Sequence, residues 1–191
     1  MLQGESVILR PMERTDVPRL WEFGQDLEIG LAVGGGGRPV PLAMVEKVYD
    51  DVWANPSSEA VRFGIEAHGG MLIGGAEITD INWQSRTARL AVWVGDRTYR
   101  RIGCGSDAMQ VALNYAFKLM GLHRIEMQLP ETNAAGIACY KSVGFEEEGR
   151  LRKALYRDGN YEDLIQMAIL REDWPDTTPL QPVEEPAPRK S

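Results

Sequence analysis

A glycine-rich turn between an apolar run and an amphipathic segment is the part of the sequence best suited to chemistry. It follows the run Ala88–Val94 and consists of Arg100, Arg101, Ile102, Gly103, Cys104, Gly105 and Ser106. A helix that begins in this turn would present unpaired N–H groups and the positive end of its dipole. Glycine lets a ligand approach the main chain, and Arg100 and Arg101 would add charge-assisted contacts. The turn therefore predicts a pyrophosphate-binding site.

Other phosphate motifs fit this turn less well. The Walker motif ends in Gly-Lys followed by Ser or Thr, and that ending does not occur here. The dinucleotide fingerprint Gly-x-Gly-x-x-Gly has Ala108 at its third glycine, a replacement that the motif tolerates. The strands before the turn, however, are spaced as an antiparallel meander, which a doubly wound dinucleotide fold lacks. A tight strand-to-helix connection without a ligand is the other interpretation of the same glycines.

A second group of residues follows the turn in a distinctive pattern. Asn133, Tyr140 and Gly144-Phe145 are spaced as Asn-x6-Tyr-x3-Gly-Phe. Together with Arg100-x-x-Gly103-x-Gly105, this pattern resembles the two signature segments of the GNAT family of N-acetyltransferases. The start of the chain, 7–16, is similar to the family's first strand and helix entry. Residues 148–163 resemble the branch of ribosomal-protein N-terminal and polyamine acetyltransferases, so the resemblance covers residues 5–171.

The resemblance implies an α/β fold of mixed α+β type. It would be a single domain with a central mixed, mostly antiparallel sheet and about four flanking helices. The sheet would be splayed between the family's fourth and fifth strands, here Ala88–Val94 and Arg124–Leu129, with acetyl-CoA as co-substrate in the gap. No metal is implied. The cofactor-binding residues implied are the main chain of Val92, Trp93 and Val94 for the pantetheine, the turn Arg100–Ser106 for the pyrophosphate, and Asn133 and Tyr140.

Tyr140 and Glu77 are the expected catalytic residues. The resemblance puts the Tyr140 hydroxyl near the thioester sulfur, where it can serve as the acid toward the departing thiolate. The ordinary pKa of a phenol, ~10, exceeds that of a thiol, so the proton need not be transferred completely to help. The glutamate that relatives often carry early in the fourth strand is missing, since the strand reads Ala88-Arg89-Leu90. Glu77 on the preceding strand is the nearest replacement, either as a base or as a partner for a cationic acceptor. Its other interpretation is an exposed strand carboxylate, and Asp80 is a weaker candidate.

Patterns along the chain predict the elements that position these residues. Apolar runs between turn residues predict strands at 7–9, 61–67, 71–78, 88–94, 124–129, 145–155 and 161–170. Helical spacing of apolar residues predicts helices at 17–24, 44–52, 109–120 and 133–143. The glycines Gly34–Gly37 predict a loop between the first two helices. Five of the 11 prolines follow Asp173, which predicts an acetyltransferase domain at 1–174 and a disordered, proline-rich acidic tail at 175–191.

Composition limits the classes of function. The chain has 191 residues and a formal net charge of −7, so it lacks the basic surface of a nucleic-acid-binding protein. Its apolar runs are shorter than the ~20 residues of a membrane span. Its two cysteines fit neither a disulfide framework nor a zinc pattern, which favours a cytoplasmic location. We therefore expect an N-acetyltransferase that acts on a small-molecule amine or a protein N-terminus, and relatives in the family are often homodimers.

Two other functions remain compatible with the same residues. The missing fourth-strand glutamate leaves a non-catalytic acyl-CoA-binding or regulatory module with the same fold as the alternative. The glycine turn alone also suits a nucleotide-binding α/β protein. Release of CoA in the presence of amines separates an enzyme from a binding module. Thermal protection by acetyl-CoA, compared with NAD or ATP, separates the third function from the other two.

Overall fold

The computed structural model describes residues 1–26, 29, 40–55, 57–157 and 159–175. Its strands are β1 (Leu2–Gln3), β2 (Val7–Arg10), β3 (Val61–Ala67), β4 (Met71–Asn82), β5 (Thr87–Val94), β6 (Arg124–Pro130), β7 (Glu146–Arg157) and β8 (Asn160–Leu170). Within the described residues they form one eight-stranded sheet in the order β1-β2-β3-β4-β5-β6-β8-β7. Strands β1 to β5 pair antiparallel in chain order. For β3 to β5 this confirms the meander that the short turns between the predicted strands indicate.

The sheet opens between β5 and β6. These two strands run parallel, but only Thr87–Arg89 pairs with Arg124–Glu126. Beyond this point β5 continues beside β4 as far as Val94, whereas β6 continues beside β8 as far as Pro130. The strands thus separate and leave a gap in the sheet. This arrangement confirms the predicted splay, and the two strands are fifth and sixth here because the short β1 adds one to the count.

Four α-helices within the described residues cover the sheet: α1 (Val17–Gly24), α2 (Leu42–Val48), α3 (Cys104–Asn114) and α4 (Ala134–Val143). Helices α2 and α3 continue as π-helical turns, at Tyr49–Trp53 and Tyr115–Leu119. Buried residues of α3 and α4 share one apolar cluster with the sheet. Phe23 of α1 and Tyr49, just after α2, belong to a second cluster, against which Trp93 packs. Each pair of helices therefore lies on its own face of the sheet.

Element types agree with the sequence predictions, and several boundaries differ. Helix α3 begins at Cys104, inside the glycine-rich turn as predicted, although its apolar pattern starts only at Met109, because its first turn carries few apolar residues. Strand β4 extends to Asn82 through an irregular pairing after Thr79. The two-residue strand β1 was missed, since it is too short to show any alternation. The predicted loop Gly34–Gly37 and most of the predicted tail lie outside the described residues.

The C-terminal end of the described chain is anchored to the domain. The indole Nε1 of Trp174 donates a hydrogen bond to Oδ1 of the buried Asn114 at 3.0 Å. Its ring also lies 6.3 Å from that of Phe117. These contacts support a domain boundary after Trp174, which stays a prediction. No helix in the part of the chain that the structure describes is long and apolar enough to cross a membrane.

Candidate active site

The glycine-rich turn forms the N-terminus of α3. Arg101 and Gly103 both have positive φ angles, 62° and 97°, and Gly103 is the N-cap residue. No side chain caps this helix, so the N–H groups of its first turn keep their hydrogen-bonding capacity. The Ser106 hydroxyl donates to the carbonyl oxygen of Gly103 at 2.8 Å and tightens the turn. This end of α3 has the geometry of an anion site.

The one acidic residue in the first turn of α3, Asp107, is already hydrogen-bonded within the protein. The Asp107 carboxylate accepts hydrogen bonds from the main-chain N–H groups of Glu5, Ser6 and Val7, at 3.1, 2.7 and 3.0 Å. A Cβ at Gly4 would lie 2.6 Å from the same carboxylate, so this tight turn requires glycine. Three N–H donors thus balance a negative charge that would otherwise oppose phosphate binding beside the helix N-terminus.

Arg100 makes several contacts within the protein at the start of the turn. Its guanidinium donates to the carbonyl oxygens of Val94 and Gly95, each at 3.0 Å, and lies 3.2 Å from the carboxylate of Asp26. These contacts hold the turn against the end of β5, and the guanidinium is half-buried while making them. Arg100 therefore shapes the turn, and its contact with phosphate stays a prediction. Arg101 and Ile102 are exposed beside it, and Cys104 is buried under it.

The gap between β5 and β6 is a cleft of about 680 Å³. It lies beside two of the three β5 residues predicted to bind pantetheine, Val92 and Trp93, while Val94 lies at the end nearer the glycine turn. Such a volume is within the usual range of small-molecule sites. The cleft is lined by Glu77, Thr79, Leu90, Ala91, Val92, Trp93, Met127, Gln128, Leu129, Pro130, Thr132, Asn133, Tyr140, Leu155, Arg157 and Leu164.

Tyr140 reaches the cleft from α4. It is 7% exposed, and its ring packs edge-on against Phe145 with ring centroids 5.1 Å apart. Burial raises the pKa of the Tyr140 hydroxyl well above 10, although a hydrogen bond from the Val92 main chain acts in the opposite direction. The hydroxyl thus stays protonated at neutral pH and lies at the free edge of β5, where the sheet opens.

Asn133 caps α4 at the edge of the same cleft. Its Oδ1 accepts a hydrogen bond from the N–H of Gly136 at 3.0 Å, which is the geometry of an N-cap. A Cβ at position 136 would lie 2.7 Å from the Asn133 amide nitrogen, so glycine is needed there. The structure therefore gives Asn133 a role in starting α4 and also puts it in the cleft lining.

Glu77 approaches the cleft from the other face of the sheet. Its neighbours Ala76 and Ile78 are fully buried in the cluster with α3, and side chains alternate along a strand, so Glu77 faces the side of α1 and α2. Burial raises the pKa of its carboxyl, and Arg62, whose Nε lies 3.1 Å away, opposes this shift. Asp80 instead lies 3.7 Å from Arg89 and is largely exposed, outside the cleft lining.

The sequence predictions missed one charged residue of the cleft, Arg157. It stands at the end of β7, in a segment interpreted from sequence only as a hairpin turn. Between Leu151 and Leu155 the pairing of β7 with β8 is irregular, and Lys153 has a positive φ of 52°. The main-chain N–H of Lys153 donates to the carboxylate of Asp163 at 2.8 Å. No local sequence signal predicts this irregular pairing, which shifts the register of β7 against β8 by two residues before Arg157.

The sheet opens between β5 and β6, and the uncapped N-terminus of α3 lies beside the opening. This combination is suited to an extended cofactor that carries a phosphate group. Residues 6–146 match the acetyltransferase (GNAT) domain family, and the chain belongs to this family. It is 26% identical over 176 residues to the spermidine N(1)-acetyltransferase of Escherichia coli, with 91% of each chain covered. It is also 28% identical over 114 residues to the putative ribosomal N-acetyltransferase YdaF of Bacillus subtilis, which covers 58% of this chain and 62% of that protein.

A solved structure has the same fold. The spermidine N-acetyltransferase of Vibrio cholerae, crystallised with CoA and spermine, superimposes with a TM-score of 0.78 at 25% identity, covering 89% of this chain and 98% of that one. Family, relatives and fold together identify an acetyl-CoA-dependent N-acetyltransferase. The nucleotide-binding α/β alternative is wrong, because the antiparallel meander and the splayed parallel pair are not a doubly wound sheet.

Proposed function

We propose that the chain transfers the acetyl group of acetyl-CoA to a primary amine within the cleft between β5 and β6, with Tyr140 as the acid. The observation that carries this proposal is the position of the buried Tyr140 in the lining of the cleft together with Val92, at the point where the two strands part. A buried, protonated phenol next to free main-chain groups suits a reaction in which a thiolate departs and a carbonyl oxygen gains negative charge.

In this proposal the cofactor is held by β5, by the glycine-rich turn and by the start of α4. The main chain of Val92, Trp93 and Val94 would hold the pantetheine, and the N–H groups of 101–106 would hold the pyrophosphate. Open space at Gly105 supports this assignment, because a Cβ there would meet only the Val94 side chain, at 3.7 Å. Asn133 would contact the cofactor from the start of α4 through the half of its amide that does not cap the helix.

The acceptor amine would enter from the opposite face, where Glu77 lies. A neutral amine attacks the thioester carbon and must lose a proton, and Glu77 would take it directly or through water. Its raised pKa favours this role, since a more basic carboxylate accepts a proton more readily. Holding the acceptor is the other role that the same position allows. Both catalytic roles need close, oriented reactants, which a narrow gap between two strands supplies.

A thiol-release assay tests the proposal. The purified protein, acetyl-CoA and a panel of primary amines should liberate free CoA, with a gain of one acetyl group on an amine by mass spectrometry. Thermal protection by acetyl-CoA without CoA release from any amine would instead support the non-catalytic binding module. We also expect activity to withstand metal chelation. The cytoplasmic location and the homodimer stay predictions, to be checked by cell fractionation and light scattering.

A further inference from the structure

The charged side chains of the cleft give information about the acceptor. Among the described residues that line it, Glu77 and Arg157 are the two that carry a formal charge at neutral pH. Glu77 shares its charge with Arg62, whose Nε lies 3.1 Å from the carboxylate. The walls of the cleft therefore present one carboxylate that is already paired and one guanidinium.

Arg157 has no partner within the described part of the chain. Its Nε–H is buried and donates to no acceptor in the described residues, and no described residue gives the guanidinium an ion pair. The Nε–H of Arg19 is also buried without an acceptor, but its other nitrogens bond Glu22 and Asp96 at 2.8 and 2.6 Å. Buried polar groups are almost always hydrogen-bonded, so the buried Nε–H of Arg157 in a ligand cleft calls for an acceptor supplied by the ligand.

The chemistry of that partner follows from the guanidinium. Arginine presents a planar fork of donors that matches a carboxylate, and such charge-assisted pairs are the strong ones. A polyamine, by contrast, brings a second ammonium group that finds no unpaired carboxylate in the described lining and meets the charge of Arg157. We propose that the acceptor is a small amino-acid-like molecule, whose carboxylate binds Arg157 while its amine attacks the thioester; this rests on the function proposed above.

The transfer itself is unchanged by this assignment. The amine nitrogen forms a bond to the acetyl carbon as the carbon–sulfur bond breaks, the amine loses one proton, and the thiolate gains one to leave as CoA. The acceptor carboxylate takes no part in bond making. Arg157 is thus a specificity-determining residue that fixes one end of the acceptor, while Glu77 and Tyr140 act at the other.

Matched acceptors test this assignment. A panel of L-amino acids is compared with the corresponding amino acid amides and with spermidine, with each kcat/KM expressed per neutral amine. The variants are Arg157→Gln, which removes the charge, and Arg157→Lys, which keeps it. Arg152→Gln is the control, because Arg152 is exposed on the same strand and lies outside the cleft lining. Melting temperatures of the variants establish that they fold.

The wild-type protein should use the best amino acid at least tenfold better than its amide, about the effect of one charge-assisted hydrogen bond. In Arg157→Gln the ratio of acid to amide should fall close to one, and the relative use of spermidine should improve. Arg157→Lys should keep part of the preference for the acid, and Arg152→Gln should keep all of it. Equal use of acid and amide by the wild type, preference for spermidine, or a ratio unchanged in Arg157→Gln would each overturn the proposal.

A binding measurement keeps this proposal separate from the proposed function. Calorimetry on the CoA-saturated protein compares N-acetyl amino acids with their amides, and it requires no turnover. Tighter binding of the acids, lost in Arg157→Gln, supports the carboxylate site even if no CoA release is seen, in which case only the catalytic function fails. Equal binding of acids and amides overturns the carboxylate site even if other amines are acetylated.

Discussion

Replacing Tyr140 with phenylalanine removes one hydroxyl and keeps the ring that packs on Phe145. The pKa of a thiol is near 8.5, below that of Tyr140, so we expect the tyrosine to act mainly by donating a hydrogen bond to the departing thiolate. Loss of a positioned proton donor costs roughly 10²-fold in rate, or about 2.7 kcal/mol. We therefore expect kcat of Tyr140→Phe to fall about a hundredfold, while the affinity for acetyl-CoA is retained.

The effect on stability must be separated from this loss. Tyr140→Phe removes a buried polar group, and loss of one hydrogen bond costs about 1–3 kcal/mol when its partner stays buried. At roughly 2–4 °C per kcal/mol for a domain of this size, the melting temperature should fall by about 2–12 °C, which a thermal melt of the variant measures. Tyr49→Phe is the matched control, because the buried Tyr49 hydroxyl also bonds the main chain, at Met12, and lies outside the cleft lining.

The pH profile gives the sharpest readout. Because burial raises the pKa of Tyr140, its hydroxyl stays protonated from pH 7 to 9, and the ratio of the wild-type to the variant rate should be constant across this range. Steady-state CoA release at saturating acetyl-CoA measures it. Wild-type kcat in a folded Tyr140→Phe protein, or a similar loss in Tyr49→Phe, would refute the assignment of Tyr140 as the acid.

Three further predictions concern the cofactor turn, the base and the domain boundary. Gly105→Val should weaken acetyl-CoA binding at least tenfold, about 1.4 kcal/mol by calorimetry, because its side chain occupies the phosphate approach; Gly149→Val, equally open, is the matched control, and unchanged affinity would exclude this site. Glu77→Gln should remove the rise of rate with pH through the raised pKa of this carboxyl, if ionised Glu77 is the base; a higher KM with kcat retained would mean that it holds the acceptor. Truncation after Pro175 should leave the melting temperature unchanged, whereas Trp174→Ala should lower the free energy of unfolding by more than about 1 kcal/mol. A larger loss of stability on truncation than in Trp174→Ala would show that the tail docks.

The start of α3 shows why a functional turn is hard to delimit from sequence. Its apolar pattern begins at Met109, yet the helix begins at Cys104. The residues between them include Gly105, Ser106 and Asp107, which build the turn and its support and do not fill the core. Hydrophobic periodicity reports on burial, so it does not detect a first helical turn whose side chains stay out of the core. The glycines did predict the turn, because the backbone conformation that they allow is a property of the local sequence.

Roles that depend on distant contacts could not be predicted in the same way. The sequence places Arg100 next to the turn, and only the fold shows that its guanidinium bonds the end of β5 and Asp26. Arg157 stands at the last paired position of β7, and only the fold shows that this end of the strand lines the cleft. Strand pairing between residues close in sequence was predictable, whereas the strand ends that line the cleft were not.

The two faces of the splayed sheet divide the reaction between different kinds of residue. Tyr140 and the glycine turn lie on the side of α3 and α4, and their spacing is the pattern that resembles the family's signature segments. Glu77 faces the other side, where we propose that it and Arg157 meet the acceptor, and residues that choose among acceptors must differ as acceptors differ. Family membership therefore predicts the first group and leaves the second open. The charge of the cleft wall, in particular the unpaired Arg157, then becomes the physical basis for choosing among acceptors.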